Sequence, residues 1–330
     1  MAELNNFSRI KAGIKRLFPA PLVWPVWTTL KPSPGTIVLM YHRVGPSPAP
    51  FDTLDVEIFR AQMQWLSRHC RLLHPDELQA GAARSSRGKP KVLVTFDDGY
   101  RNTAEYAYPI LDELKIPAVV FLATEAMDNG ALIWTEWLEW VFHKTELMSA
   151  KLPYGGSHDL TSADDKKIVA RSWKKYLKGV TNGERLAVLD RLVRDYGVPR
   201  QDERLPRQML TWDEVRASPA CVIYGGHTHS HPIMSQLDTR ELDAEVALCS
   251  RRIEDETAVK PRHFAYPNGR REDFNASSKT VLRRHGFDLI YSTIEGLHLP
   301  GADMTEIRRL PTTVGHPSDF PWFLLRYMAG

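Results

Sequence analysis

Val92-Leu93-Val94-Thr95-Phe96-Asp97-Asp98-Gly99-Tyr100 decides the fold. Its apolar half reads as a buried strand, and Gly99 ends it. Two adjacent carboxylates at a strand end repel each other unless a cation or a hydrogen-bond donor offsets the charge, and a metal ion is the usual partner. Far downstream stands His227-Thr228-His229-Ser230-His231-Pro232. His227 and His231 are spaced i, i+4, which on a helical backbone puts two imidazoles on one metal. One carboxylate with two histidines leaves coordination positions open for water and substrate.

Working outward, Thr36–Tyr41 reads as a first buried strand ending at His42-Arg43. A helix over 55–69 follows, capped by Asp55, with Phe59, Met63 and Leu66 on one face. Ser85-Ser86-Arg87-Gly88 is a loop. Residues 102–115 are helical, with Pro109 opening a turn or kinking the chain. Ala118–Leu122 is a strand. From 125 to 210 the strand pattern gives way to helical periods, Trp134/Leu138/Val141/Phe142 and Leu186/Leu189/Leu192/Val193, read as a helical insertion with an aromatic core of its own. Strands resume at Cys221–Tyr224, Phe264–Tyr266 and Asp288–Ser292. Between them lie a helix begun by Asp238 and Glu241 and another over 276–286. Alternating strands and helices predict an α/β fold with a mainly parallel sheet.

Composition narrows the function. The chain has 330 residues, 43% of them hydrophobic, and a net charge of +3, too small to argue for nucleic acid as a partner. Cys70, Cys221 and Cys249 share no metal-ligand spacing, and an odd count fits a reducing compartment. Residues 1–35 read as an irregular N-terminal leader. Arg9, Lys11, Lys15 and Arg16 precede an apolar stretch broken by Pro19, Pro21 and Pro25, with no cleavage site after it. A sharper reading makes residues 9–27 a peripheral membrane contact, with Trp24 and Trp27 at the headgroup level. The expected setting is cytoplasmic, or the inner membrane face.

Three segments together, Thr95–Tyr100, His227–Pro232 and Phe264-Ala265-Tyr266-Pro267-Asn268-Gly269, resemble in order the motifs of the polysaccharide deacetylase family, the carbohydrate esterases that share the NodB homology domain. The resemblance spans roughly residues 36–315. The start Leu39-Met40-Tyr41-His42-Arg43-Val44 looks like the subgroup that acts in exopolysaccharide synthesis and modification. The resemblance implies a distorted, incomplete (β/α) barrel, here with a helical insertion. It also implies a metal-dependent N- or O-deacetylase acting on an acetylated sugar in a polysaccharide, oligosaccharide or lipid-linked precursor. By the motifs, Asp97 is the catalytic base, and Asp98, His227 and His231 hold a divalent metal, zinc first, with Co²⁺, Ni²⁺ and Fe²⁺ also accepted by such a set. His229 is expected to point away, and Thr228 and Ser230 to hold the turn. His42 is the expected acid, since imidazoles exchange protons near neutrality. Tyr266, Asn268 and Arg43 are the candidate substrate contacts.

Two departures stand out. Many family members carry a third-motif arginine that pairs with the base, and the position here is Ala265; Arg43 and Arg262 are the substitutes in view. The late Leu-x-His segment is missing, and His316 is a poor match. These departures motivate a second reading, a catalytically silent carbohydrate-binding relative; because some relatives hydrolyse unrelated amides, an amidohydrolase of a small non-sugar compound is a third.

Overall fold

A computed structural model of the chain describes residues 20–30, 33–46, 50–78, 88–312 and 315–328. Helix α1 (Ala20–Leu30) precedes strand β1 (Ile37–Tyr41). Helix α2 (Val56–His69) begins at Asp55, whose side chain accepts from the amides of Glu57 and Ile58. Then come β2 (Arg71–Leu72), β3 (Lys91–Phe96), a π-helical turn (Thr103–Ala107), α3 (Tyr108–Leu114) and β4 (Ala118–Leu122). Pro109 lies in the first turn of α3, where a missing N–H loses no helical bond.

The insertion follows β4. It holds α4 (Thr124–Asn129), α5 (Trp134–Lys144), a small antiparallel pair β5 (Ser149–Lys151) and β6 (Ser157–Asp159), α6 (Ala163–Leu177), α7 (Asn182–Tyr196) and α8 (Trp212–Arg216). The β5–β6 pair is an addition to the all-helical reading; its three-residue strands are too short to leave a periodic signal. Trp134, Trp137, Trp140, Phe142 and Trp173 are buried as core. Leu189 and Leu192 are buried too, whereas Leu186 faces outward. The chain returns through β7 (Val222–Gly226), α9 (Thr239–Thr257), β8 (His263–Ala265), α10 (Ala276–Arg284), β9 (Leu289–Glu295), β10 (Ile307–Pro311) and α11 (Phe320–Met328).

Seven strands close into a parallel barrel, in the order β1-β3-β4-β7-β8-β9-β10. β1 pairs with β3 on one side and β10 on the other, and β2 adds to the start of β3. One strand fewer than a full (β/α)₈ barrel is the distorted, incomplete form expected. Side chains alternate in and out. Val38, Leu93, Val119, Phe121, Ala265, Leu289, Tyr291 and Ile307 form the inner core. Ile37, Leu39, Val92, Val94, Ala118 and Val120 face the helices. The strand ends therefore deliver His42, Asp97 and His227 to the same carboxyl-terminal rim, where barrels of this kind place their chemistry.

The leader differs from its irregular reading. Residues 1–19, with the four basic residues, lie outside the described residues, but Ala20–Leu30 is a helix despite its prolines. Pro21 falls in its first turn, and the hydroxyls of Thr28 and Thr29 bond to the carbonyls of Trp24 and Pro25. Trp24 is buried edge-on against Trp65 and so is not available at a surface, while Val26 and Leu30 are exposed. The Ser85–Gly88 loop also falls outside the described residues except for Gly88.

Barrel closure demands a bare backbone at Gly225. A β-carbon there would stand 2.6 Å from the carbonyl oxygen of His263 and 2.8 Å from the Phe121 ring. Gly225→Ala is expected to cost about 1–3 kcal/mol by overpacking, read as a lowered denaturation midpoint; an unchanged midpoint would show that β8 can move away.

Candidate active site

The residues that close the site come from every part of the barrel. Asp97 leaves the end of β3, its amide bonded to the carbonyl of Tyr41 in β1 at 3.0 Å. Asp98 follows with φ 75°, and this left-handed turn aims the two carboxylates in different directions. Asp98 Oδ1 lies 3.2 Å from His227 Nε2 and 3.3 Å from His231 Nε2. Asp98 Oδ2 accepts from the Tyr100 hydroxyl at 2.7 Å.

The histidine segment is not a helix. His227 continues β7, and Thr228 and His231 take φ of 63° and 57°, so a loop brings the two rings together with centroids 4.9 Å apart. Glu245 of α9 holds that loop. Its carboxylate accepts from the amides of His229 and Ser230 at 2.9 and 2.8 Å and from the Ser230 hydroxyl at 2.6 Å. Ser230 thus bonds across to α9 rather than within its own turn, while Thr228 bonds locally to the His227 carbonyl. His229 points away, its Nδ1 on the Thr124 hydroxyl at 2.9 Å. The insertion adds the Trp134 indole, which donates to the His231 carbonyl at 3.1 Å.

These residues fit a divalent metal. His227 Nδ1 faces the Ala265 carbonyl at 2.7 Å, which makes that nitrogen the protonated one and frees Nε2 as a ligand. His231 Nδ1 has no partner among the described residues. The three ligand atoms lie within 4.8 Å of one another, and all three residues are buried. Burial alone would raise the Asp98 pKa, but the two histidines outweigh it and hold the carboxyl well below its ordinary range. Burial likewise disfavours charge on both imidazoles. In His227 the hydrogen bond to Asp98 and the adjacent carboxylates outweigh it and raise the pKa; in His231 burial wins and lowers it.

The partner of Asp97 belongs to none of the three motifs. Arg309 of β10 is fully buried and grips Asp97 with both arms, Nη1 to Oδ1 at 2.6 Å and Nη2 to Oδ2 at 2.8 Å. Its Nε donates to the Ser292 carbonyl at 2.8 Å, and the pairing of β10 with β9 shifts register between Ile307 and Arg309. Burial would push the Asp97 pKa up, and Arg309 more than offsets it, so the pKa is lowered. Arg309 reaches Asp97 across the barrel interior, past β1. The available signal was an arginine inside Ile307–Pro311, at a position facing the acid; the charges and Pro311 hid the strand itself.

Neither proposed substitute plays that part. Arg262 pairs with Asp288 at 2.6 Å outside the cavity. Arg43 is buried, with Nη2 2.7 Å from Glu136 and Nη1 2.9 Å from Gln208, and its guanidinium lies 3.7 Å from the centre of the Tyr100 ring. With every arm taken up inside the protein, Arg43 ties the insertion to the metal-side loop rather than contacting substrate. Tyr266 is also displaced from that role: it is fully buried, stacked on Phe274, with its hydroxyl on the Thr305 carbonyl. Asn268 keeps it. It lines the cavity with φ 58°, and its amide nitrogen has no partner among the described residues. His42 Nε2 stands 3.9 Å from Asp97 Oδ2 with half its ring exposed to the cavity. His316 caps a short turn and lies apart from the cavity. The cavity, about 300 Å³, has the barrel rim on one side and Glu136, Glu139, Lys174 and Lys178 of the insertion on the other.

A closed parallel barrel with paired carboxylates and two histidines on its carboxyl-terminal rim is the architecture of a barrel hydrolase, with a cluster that fits a divalent metal. The polysaccharide deacetylase family model matches residues 84–171 and 195–290, more than half of the chain, and the chain belongs to that family. The break between the matched segments falls inside the insertion. The chain is 26% identical to a putative polysaccharide deacetylase, YxkH, of Bacillus subtilis, over 55% of this chain and 71% of that protein. It is 28% identical to a poly-beta-1,6-N-acetyl-D-glucosamine N-deacetylase of Staphylococcus aureus, over 38% of this chain and 46% of that one. The fold is similar to that of the Streptococcus pyogenes deacetylase PplD solved with acetate, with a TM-score of 0.59 and 16% identity over 90% and 99% of the two chains.

Removing Arg309 leaves a buried carboxylate without its counter-charge. Arg309→Ala is expected to cost about 3–5 kcal/mol of stability. Burial then sets the Asp97 pKa, so the acid limb of any activity profile moves to higher pH. In the wild type the lowered pKa makes this carboxylate stabilising above the ordinary carboxylate range, a contribution lost as pH falls through its folded pKa. A variant with unchanged melting and an unmoved acid limb would refute this role. Metal binding is read separately. Zn²⁺ should raise the melting temperature of the wild type, a chelator should reverse the rise, and Asp98→Asn should abolish it.

Proposed function

We propose that the protein is a metal-dependent deacetylase that removes an acetyl group from an N-acetylated, or O-acetylated, sugar in a polysaccharide, oligosaccharide or lipid-linked precursor. The observation that carries this reading is the division of labour between neighbouring carboxylates. Asp98 faces two imidazoles and Asp97 faces a guanidinium, so one is a ligand and the other stays an ionised base. A divalent metal at Asp98, His227 and His231 supplies Lewis acidity at the acetyl carbonyl and eases ionisation of water. Asp97 takes the proton of the attacking water. Arg309 fixes its plane and keeps it charged before each turnover. His42, on the open side of the cavity beside Asp97, gives a proton to the departing sugar nitrogen. The free amide nitrogen of Asn268 is placed to donate to the acetyl oxygen or to a sugar hydroxyl. Tyr100 holds the second oxygen of Asp98 and thereby its orientation.

Family membership and the named activity of the Staphylococcus aureus relative support an N-acetylglucosamine-type substrate. The binding-only reading rests on the missing third-motif arginine and the missing late histidine; Arg309 supplies a counter-charge to Asp97, which speaks against the first ground.

Acetate release tests the proposal. Metal-loaded wild type should release acetate from at least one of N-acetylglucosamine oligomers, acetyl esters and a lipid-linked acetylamino sugar, and Asp97→Asn should lose at least about 10²-fold. No acetate from any of them, with metal bound, overturns it. His42→Ala should slow amide cleavage far more than cleavage of a nitrophenyl acetate, whose leaving group departs without a proton. Equal losses on both would remove His42 from the acid's role.

A further inference from the structure

The insertion does more than cover the barrel. One face of α6, carrying Ala163, Lys167, Ala170 and Lys174 at spacings of three and four, with Lys178 a turn further on, faces the rim. Lys174 and Lys178 line the catalytic cavity. Lys166 and Lys167 line a neighbouring cavity of about 230 Å³ that shares Phe51, Asp52 and Glu139 with it.

The charges of the catalytic cavity nearly all cancel in pairs. Asp97 is held by Arg309, Asp98 by His227 and His231, and Glu136 by Arg43. Glu139 is held by Lys174, and Asp52 by Lys167 at 3.6 Å. Among the described residues lining the cavity, Lys178 is the cation left over: its ammonium makes no hydrogen bond or ion pair. Its backbone carbonyl accepts from Gln236, which fixes the end of α6. The acid that attracts it, Asp273, is buried and uses its carboxylate to cap the amide of Arg270. The Arg270 side chain, two residues past Asn268, is exposed and likewise makes no ion pair with a described residue. Burial lowers the Lys178 pKa, and repulsion from Arg270 and Lys174 adds to it against the attraction of Asp273. Lysines in the last turn of a helix are favourable in themselves. That accounts for lysine as a residue type at 174, 175 and 178. It does not account for an unpaired one on the cavity wall within electrostatic reach of an arginine.

We propose that Lys178, on the cavity wall and within electrostatic reach of the exposed Arg270, is a specificity-determining anion site, and that the substrate carries a carboxylate or phosphate group next to its acetylated sugar. This rests on the deacetylase reading above. An ammonium and a guanidinium converge on anionic oxygens with charge-assisted hydrogen bonds, and Arg270 adds a planar fork. A neutral N-acetylglucosamine polymer leaves both cations without a partner.

The test uses the full-length, metal-loaded protein and three ligands: a neutral N-acetylglucosamine oligomer, its counterpart with a neighbouring uronic acid, and a glycosyl phosphate of the same sugar. Acetate release is followed in the wild type, and calorimetric binding in the Asp97→Asn background. The wild type should prefer one of the two anionic ligands. Lys178→Gln should reduce the ratio of anionic to neutral affinity about tenfold, and Lys178→Arg should restore it. A response confined to the uronic acid or to the phosphate identifies which group is read. No charge preference in the wild type, or a ratio untouched by Lys178→Gln, overturns the inference. Charge-selective binding with no acetate from any ligand overturns the deacetylase reading and leaves the anion site standing. Acetate release without charge selectivity does the reverse.

Discussion

Everything on the rim depends on the forked pair between Arg309 and Asp97. Two carboxylates on consecutive residues, both buried, repel each other and lose hydration. The fold separates the problem into two. A left-handed turn at Asp98 swings one acid toward the histidines, and an arginine from the last strand takes the other. The pair also closes the barrel electrically, because Arg309 belongs to β10 and Asp97 follows β3, with β1 between them. The Ser292 carbonyl of β9 and the Thr95 hydroxyl of β3 accept from Nε and Nη1, so every nitrogen of the buried guanidinium has a partner.

Around this pair the protein is layered outward from charge to scaffold. Tyr100 orients Asp98, Arg43 lies on the Tyr100 ring, and Glu136 and Gln208 hold Arg43. On the other side Glu245 of α9 gathers the histidine loop by its backbone. Each step exchanges a local backbone preference for a bond to a distant element. That is why the unusual φ values at Asp98, Thr228, His231 and Asn268 collect here.

Much of this was legible in the residues. Runs such as Val92–Phe96 and Ala118–Leu122, capping residues such as Asp55 and Asp238, and the order of three motifs announce an α/β barrel and the cluster of Asp98, His227 and His231 on its rim, because these signals are local. Two things were not legible. β10 carries two arginines and a proline, so its alternation is invisible until the barrel shows which arginine faces inward. Arg43 and Tyr266 looked like site residues from their places in motifs, and only packing reveals that one is a tie and the other core. The i, i+4 histidines do converge, through a loop with positive φ rather than through a helical turn. Pairings across 165 to 212 positions, as between Arg43 and Gln208 or Asp97 and Arg309, leave no trace in a single window of sequence.

The tie through Arg43 has a consequence for how this architecture can change. Glu136 and Gln208 stand near the two ends of the insertion, and both fasten onto a residue of the barrel's first strand end. The substrate wall is therefore not a detachable module. A transplanted insertion lacking acceptors at these two points would leave a buried guanidinium stranded against Tyr100, and the disturbance would travel one bond further to Asp98. New specificities can be explored freely along the outer turns of α6, but the two anchoring positions must be exchanged together with their arginine, as one heritable unit.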